Sequence, residues 1–433
     1  MRTSRAPRVT TTATEAEDAG ATAATRSASR NAWALVLAGG IVMGLALGMR
    51  HVQGLFLLPV SLEHGWSRET FGFAIALQNL VWGLAQPFAG MLAARFGSAK
   101  VIVAGLLCNA LGLVLMAHAT TPAAFLWSAG VCIGIGLAGS TFGVIYGALS
   151  RLVVAERRGW ALGLAGAVGG LGQFAMVPAA QGLIDQLGWA GALVAMAVAM
   201  AMLLPLARPL ADRVSTDARA ATAPASGAAG LSAAIGEAFR HRGFWLLNLG
   251  FVACGFQLAF IATHLPAYLL DRGLTPADGV IALAIIALAN VLGTYACGVL
   301  GGLYRRKKLL AGIYLGRALA IALFTSLPAS SIGLYLFAAI MGLAWLGTAP
   351  LTNGLVSQVF GVRYVATLFG FVFLGHQVGS FLGVWLGALV YEASGSYEPV
   401  WFIAVAVGVL AAALHWPIDD REIDRPAPLA AGA

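Results

Sequence analysis

The stretch LALGMRHVQGLFLLPVSLEHGW, residues 45–66, continues an apolar run that begins near Trp33, yet it carries Arg50 and His51 inside it. Read as one helix, residues 33–62 would be about 45 Å long, enough to cross a bilayer with its headgroups. Arg50 then falls only about 4 Å past the middle. A charge at that depth costs at least about 2.5–3.5 kcal/mol on insertion scales, so it needs a partner or a wet cavity. Arg50, Gln53 and Leu57 recur at i, i+3 and i+7 and share a face, with Gly54 leaving room beside them. An arginine here snorkels outward, pairs with a neighbour or faces an internal cavity; the near-central depth favours the cavity.

Composition extends that reading to the whole chain. Length alone, 433 residues, suggests two or three soluble domains. However, 59% of residues are hydrophobic and 10% charged, where soluble proteins carry roughly 25% charge. Repeated apolar runs of about 20 residues mean a polytopic membrane protein. The net charge of +8 resides in short loops and tails rather than in one stripe, which argues against a nucleic-acid partner. Cys108, Cys132, Cys254 and Cys297 are single residues within apolar runs. Their spacing suggests neither a metal site nor a disulfide framework, and they read as small packing residues.

Residues 1–31 are rich in Ala, Thr and Arg, without the apolar core of a signal peptide. Glu15, Glu17 and Asp18 argue against a transit peptide, and a disordered cytoplasmic tail is the expectation. Twelve spans follow, near 33–60, 70–93, 100–118, 123–149, 160–184, 188–207, 243–270, 277–303, 309–327, 331–356, 365–391 and 397–416. Residues 208–242 read as a cytoplasmic linker and 418–433 as a second tail. The expected bundles are 32–207 and 243–417.

The loops orient the chain. Arg95 and Lys100, then Arg151, Arg157 and Arg158, then Arg305, Arg306, Lys307 and Lys308, and Arg363 all fall on one side, with both tails and the linker. The opposite loops carry only Arg68 and Arg272. By the positive-inside rule both termini are cytoplasmic, and the even span count agrees.

An internal repeat divides the chain. Pro59 and Pro266 stand 207 positions apart, as do Thr141 and Thr348, Gly147 and Gly354, Ser150 and Ser357, Gly163 and Gly370, and Gly172 and Gly379. One offset held without a gap marks two parallel repeats of six helices. In transporters built this way the substrate site lies near the midplane, between the halves. At the same offset Arg50 meets Gln257, and Tyr146 meets Asn353, so polar side chains recur at equivalent depths.

Gly90-Met-Leu-Ala-Ala-Arg95-Phe-Gly97-Ser-Ala-Lys100 resembles the loop between the second and third helices of the major facilitator superfamily. Ala94 stands where that motif usually has an acidic residue. Gly301-Gly-Leu303-Tyr-Arg-Arg306-Lys-Lys308 resembles the same loop in the second half. The resemblance makes Gly90, Arg95, Gly97, Lys100 and Arg306 expected members of cytoplasmic gate loops. A positive-inside loop and nothing more explains each basic residue as well. Gly48-Met-Arg50, Pro59, Gly65-Trp66-Ser67-Arg68 and His264-Leu-Pro266-Ala-Tyr268 are similar to the monocarboxylate porter and oxalate–formate antiporter branch. There, basic residues in the membrane engage substrate carboxylates, and Arg50 matches the basic position of the first helix. The eighth helix here has Asn290 and Tyr295 but no arginine, and the eleventh has His376-Gln377 where an oxalate antiporter has lysine. The resemblance therefore implies a singly charged or bulkier organic anion rather than a dicarboxylate.

Charge accounting points independently to an anion. Arg50 and Arg317 lie within spans, whereas no Asp or Glu falls well inside any of the twelve. An anionic ligand best compensates a cavity arginine under those conditions. Arg317, on a helix usually peripheral in the superfamily, suits an interhelix hydrogen bond or snorkelling better. His51, His264 and His376 are candidates for proton carriage, although a packing histidine is the commoner role for each. Gln78, Asn79, Gln173 and Asn290 line a path or form interhelical hydrogen bonds. Trp345 and Tyr146 shape a cavity or pack. GGLGQF, residues 169–174, follows no strand and is no phosphate loop.

The expectation is an all-α membrane protein of twelve transmembrane helices in two pseudo-symmetric six-helix bundles, and not an enzyme. It would be a multi-pass protein of the bacterial inner membrane. It would move a small, monocarboxylate-like organic anion by alternating access, coupled to protons. Arg50, Gln53, Tyr146, Gln257 and Asn353 would bind the substrate. No cofactor, metal, nucleic acid or obligatory protein partner is expected; the lipid bilayer is. A drug or metabolite exporter of the same superfamily is the alternative, and a non-transporting sensor a third reading.

Overall fold

The computed structural model describes residues 12–154, 157–211, 227–360 and 365–423, and among them the chain is helical with no strand. Arg363 of the basic loops lies outside the described residues. Helices are what a bilayer permits, because every backbone N–H and C=O must find its partner within the segment.

Among the described residues, ten stretches are long and apolar enough to cross a membrane. One of these, Trp160–Ala207, is two spans, since the backbone leaves helical geometry at Gly188 (φ 70°, ψ 171°). The second span, Arg68–Phe96, is a 29-residue helix outside those ten, and Gln78, Asn79 and Gln86 dilute its apolar character. With it the expected twelve spans are complete.

The first span departs from a single 33–62 helix. It runs as an α-helix Thr12–His51, tightens into a 3₁₀ turn at Gln53–Phe56 and resumes at Leu57–His64. The cause is close packing on the seventh span, Arg242–Asp271: a Cβ on Gly54 would stand within 2.4 Å of the Ala262 carbonyl oxygen. At its other end, residues 12–31 continue the same helix where a disordered tail was expected. Alanine, the strongest helix former, supplies seven of those twenty residues.

The linker region also contains a helix, Gly227–Arg240, while 212–226 lie outside the described residues. At the C-terminal end, 418–423 are docked. Ile418 and Asp420 are buried. Arg305 donates to both Asp420 oxygens (3.0 and 2.5 Å), Gln358 Nε2 donates to the Asp420 carbonyl (2.7 Å), and Lys307 Nζ donates to Ile418 O (2.5 Å).

The 207-residue repeat is visible in the backbone. The fourth span breaks at Thr141, between helices Ile133–Ser140 and Phe142–Leu152. The tenth span breaks between Ser331–Leu343 and Thr348–Phe360, where Thr348 is the repeat mate of Thr141. The loops repeat too. Arg151 Nη2 donates to Ser98 Oγ (2.6 Å) in the first half, and Arg306 Nη1 donates to Gln358 Oε1 (2.6 Å) in the second. Gln358 is the mate of Arg151, so the same span end is tied to the same loop with donor and acceptor exchanged.

Candidate functional site

Arg50 is the last-turn residue of the helix Thr12–His51, just before the 3₁₀ turn, and it faces the second span. Its Nε and Nη2 both donate to Asn79 Oδ1 (3.1 and 2.6 Å), and its guanidinium lies 5.3 Å from the centre of the Trp82 ring. Asn79 is itself fixed, because Nδ2 donates to Ile75 O (2.8 Å). The guanidinium is thus oriented by a neutral amide and an aromatic face, and among the described residues no carboxylate pairs with it. Gln53, one turn on, is 6% exposed and leaves Oε1 without a hydrogen-bond partner.

His51 reaches across to the second half. Its Nε2 donates to the Leu283 carbonyl (3.1 Å) on the eighth span, Pro276–Leu303, and its ring meets Trp345 edge-on at 6.3 Å. Trp345 sits in the break of the tenth span, so Arg50, His51 and Trp345 converge where the halves meet. The sequence singled out Arg50 and His51. Trp345 it left between packing and cavity, because nothing linear marks residues 344–347 as a break beyond Gly347 and the nearby Pro350.

The other expected ligands are placed differently. Gln257 is fully buried and its Nε2 donates to Ala404 O (2.9 Å) on the twelfth span, Glu398–His415, so its visible bond lies within the second half. The Tyr146 hydroxyl stands over Gly166 of the fifth span, where a Cβ would be 2.8 Å away. Asn353, its repeat mate, is exposed on Thr348–Phe360.

His264 and His376 are buried in the second half. His264 Nε2 donates to Val384 O (2.8 Å), which leaves Nδ1 to accept from the Tyr397 hydroxyl (3.3 Å). His376 stacks on Phe373 (5.8 Å, 2° between planes) and has Gln377 Oε1 at 3.3 Å from Nδ1. Tyr397 connects His264 to a cluster at the membrane end opposite the termini. Arg68, at the start of the second span, grips Asp271, at the end of the seventh, through 2.7 and 2.9 Å bonds, lies 3.9 Å from the Tyr391 ring centre and donates to the Tyr397 hydroxyl (3.3 Å). This bridge between the halves was not read from the sequence, since its members stand 203 residues apart.

Of the expected gate-loop residues, Gly97 takes φ 90° between the second and third spans, and the Arg95 guanidinium lies 5.2 Å from the Phe96 ring. Gly90 has open space around its Cα, and Lys100 is exposed on the third span, Ser98–Ala117. Arg306 packs on Gly354 beside its bond to Gln358. Among the described residues no group of three or more His, Cys, Asp or Glu could hold a metal.

Comparison with known proteins agrees with this architecture. Mouse monocarboxylate transporter 11 is 27% identical over 379 residues, covering 84% of this chain and 82% of its own. Bovine monocarboxylate transporter 13 is 26% identical over 385 residues and 86% of each chain. YcxA of Bacillus subtilis, an uncharacterised MFS-type transporter, is 22% identical over 92% of this chain and 98% of its own. Among solved structures, a D-xylose–proton symporter superposes with a TM-score of 0.67 at 15% identity, covering 89% of this chain and 96% of its own. A bacterial homologue of the human lysosomal transporter Spinster superposes with 0.68 at 17%, over 88% and 95%. The Major Facilitator Superfamily model matches residues 36–345 and 281–432. With twelve spans in two repeated halves and this match along its length, the chain belongs to the Major Facilitator Superfamily and is a multi-pass membrane transporter rather than an enzyme.

Proposed function

We propose that the protein carries a small organic anion of the monocarboxylate type by alternating access, with the carboxylate held by Arg50. The single observation that carries this reading is the state of that guanidinium. It is oriented inside the bundle by Asn79 and Trp82, both uncharged, and no carboxylate of the described chain neutralises it. A cation so placed is best compensated by an anionic ligand, and arginine's planar fork suits a carboxylate. The names of the mouse and bovine relatives support the same substrate class. His51, beside Arg50 and bonded across the interface, is the proton-coupling candidate the geometry favours over His264 and His376. Gln53 and Trp345 line the same place. Tyr146 and Asn353 lie towards the ends of their spans nearer the termini, on the path rather than at the anion.

The Arg68–Asp271 bridge supports alternating access, because it joins the halves at the end away from the termini and would have to open for that face to admit substrate. The basic loops support both termini being cytoplasmic, in a bacterial inner membrane. The test is counterflow of labelled monocarboxylates in proteoliposomes, comparing the unaltered protein with Arg50→Gln. Saturable exchange that Arg50→Gln abolishes is expected. Lipophilic-cation transport that does not need Arg50 would favour an exporter instead.

A further inference from the structure

The break in the tenth span is held open by side chains from its neighbours. The helix Ser331–Leu343 ends at Ala344 and the next begins at Thr348. Within the break Trp345 N–H still reaches Gly342 O (2.9 Å) and Ala349 N–H reaches Leu346 O (3.0 Å), whereas the Ala344 and Trp345 carbonyls and the Leu346 N–H take side-chain partners. Such groups each cost several kcal/mol in hydrocarbon unless buried partners satisfy them. Arg317, fully buried on the ninth span Arg306–Ser326, supplies the donors: Nε and Nη2 to Ala344 O, and Nη2 also to Trp345 O (2.6 Å). Its Nη1 lies 3.3 Å from Cys254 Sγ. Asn290 supplies the acceptor, with Oδ1 receiving the Leu346 N–H at 3.0 Å. Gly293 lets the break press on the eighth span, since a Cβ there would fall 1.9 Å from Leu343 O.

An uninterrupted helix would need none of this and would avoid burying a guanidinium. The first half shows the cheaper solution. Its equivalent break spans the single residue Thr141, and Ala110 occupies the position equivalent to Arg317. The wider break therefore has a use of its own, and what it presents is Trp345, edge-on to His51 across the interface. We infer that Arg317 and Asn290 are positioning residues: without touching substrate, they hold residues 344–347 in the shape that seats Trp345 against the His51 end of the site. That the seat matters for transport rests on the anion reading above; the shape of the break does not.

Hydrogen–deuterium exchange on the full-length protein in nanodiscs, read by mass spectrometry, separates the two. Arg317→Gln should speed exchange of the amides at 345–348 at least tenfold, while the flanking 331–341 and 351–358 stay within twofold. Arg317→Lys, which keeps the charge but loses the fork, should fall between. Asn290→Ala, which leaves the ninth span untouched, should free the Leu346 amide alone and stands in if Arg317→Gln does not fold. In parallel, labelled pyruvate uptake should show KM raised severalfold by Arg317→Lys with kcat held within twofold. Unchanged exchange at 345–348, or a uniform rise across the second half, overturns the positioning role. If the unaltered protein ignores pyruvate but the local exchange rise is seen, the positioning role stands and the substrate class falls.

Discussion

Arg68 and Asp271 face each other in a two-bond fork, at 2.7 and 2.9 Å, that joins the start of the second span to the end of the seventh. The Tyr391 ring lies 3.9 Å from the same guanidinium. Both side chains are partly shielded, at 15% and 31% exposure. The fork geometry favours the pair, whereas the remaining solvent contact screens it, so a coupling of about 1 kcal/mol is expected. Spin labels at Leu62→Cys and Ala277→Cys, both exposed positions on opposite halves, would report the opening of this end. Asp271→Asn should shift the distance distribution outwards, and the charge swap Arg68→Asp with Asp271→Arg should partly restore it. Identical distributions in all three would show that the pair does not hold the halves together.

Arg50 relies on Asn79 for its direction. Arg50→Lys should weaken anion binding and keep some transport, because charge is retained and the fork lost. Arg50→Gln should nearly abolish transport in a protein that still inserts. A charged hydrogen bond is worth about 1.5–3 kcal/mol net, so one lost contact costs roughly tenfold or more in affinity. Asn79→Leu leaves the guanidinium present but unaimed, and should raise KM by a similar factor. Normal rate and affinity in a well-expressed Arg50→Gln protein would sink the anion site.

The three candidate histidines occupy unequal surroundings. His51 bonds across the halves, to Leu283 O, whereas His264 bonds Val384 O and the Tyr397 hydroxyl, and His376 lies beside Gln377 Oε1, all in the second half. In proteoliposomes with an imposed pH gradient, His51→Gln should uncouple uptake of a strong-acid anion while counterflow persists. His264→Gln and His376→Gln should leave the gradient dependence in place. Gradient-driven uptake surviving His51→Gln would remove histidine 51 from the coupling.

The docked C-terminal segment should be acid-labile. The Arg305 guanidinium, with Lys307 nearby, holds the Asp420 carboxyl below the usual carboxylate range. A carboxyl with a lower pKa in the docked state binds fewer protons there, so docking gains stability as pH rises. That gain is fully present above about pH 4, the ordinary aspartate value, and is lost as pH falls towards the lowered one. A spin label at Glu422→Cys should be immobilised at pH 7 and gain mobility as the pH is lowered below about 4, and Asp420→Asn should be mobile throughout. A label equally immobile throughout would mean that Asp420 does not hold the segment.

The class of the molecule was legible in the chain's linear pattern. Apolar runs of bilayer length and the offset of 207 are one-dimensional properties, and a membrane forces such runs to be helices. The same pattern marked Arg50 as exceptional, because depth along a helix follows from counting residues. Where each polar group spends its hydrogen bonds was decided by tertiary packing alone. Gln257 looked equivalent to Arg50 by repeat position, yet it bonds Ala404 within its own half, because the repeat equates depth and not the neighbours at that depth. Arg317 was expected to make an interhelix hydrogen bond or to snorkel; it does bond another helix, and the fold decided that its partners are the Ala344 and Trp345 carbonyls of the break in the tenth span. Arg68 and Asp271 stand 203 residues apart, and only the meeting of the two halves makes them partners. Partners on different spans are chosen by which helix faces meet, and that choice is made by close packing over the whole bundle rather than by any residue's own chemistry.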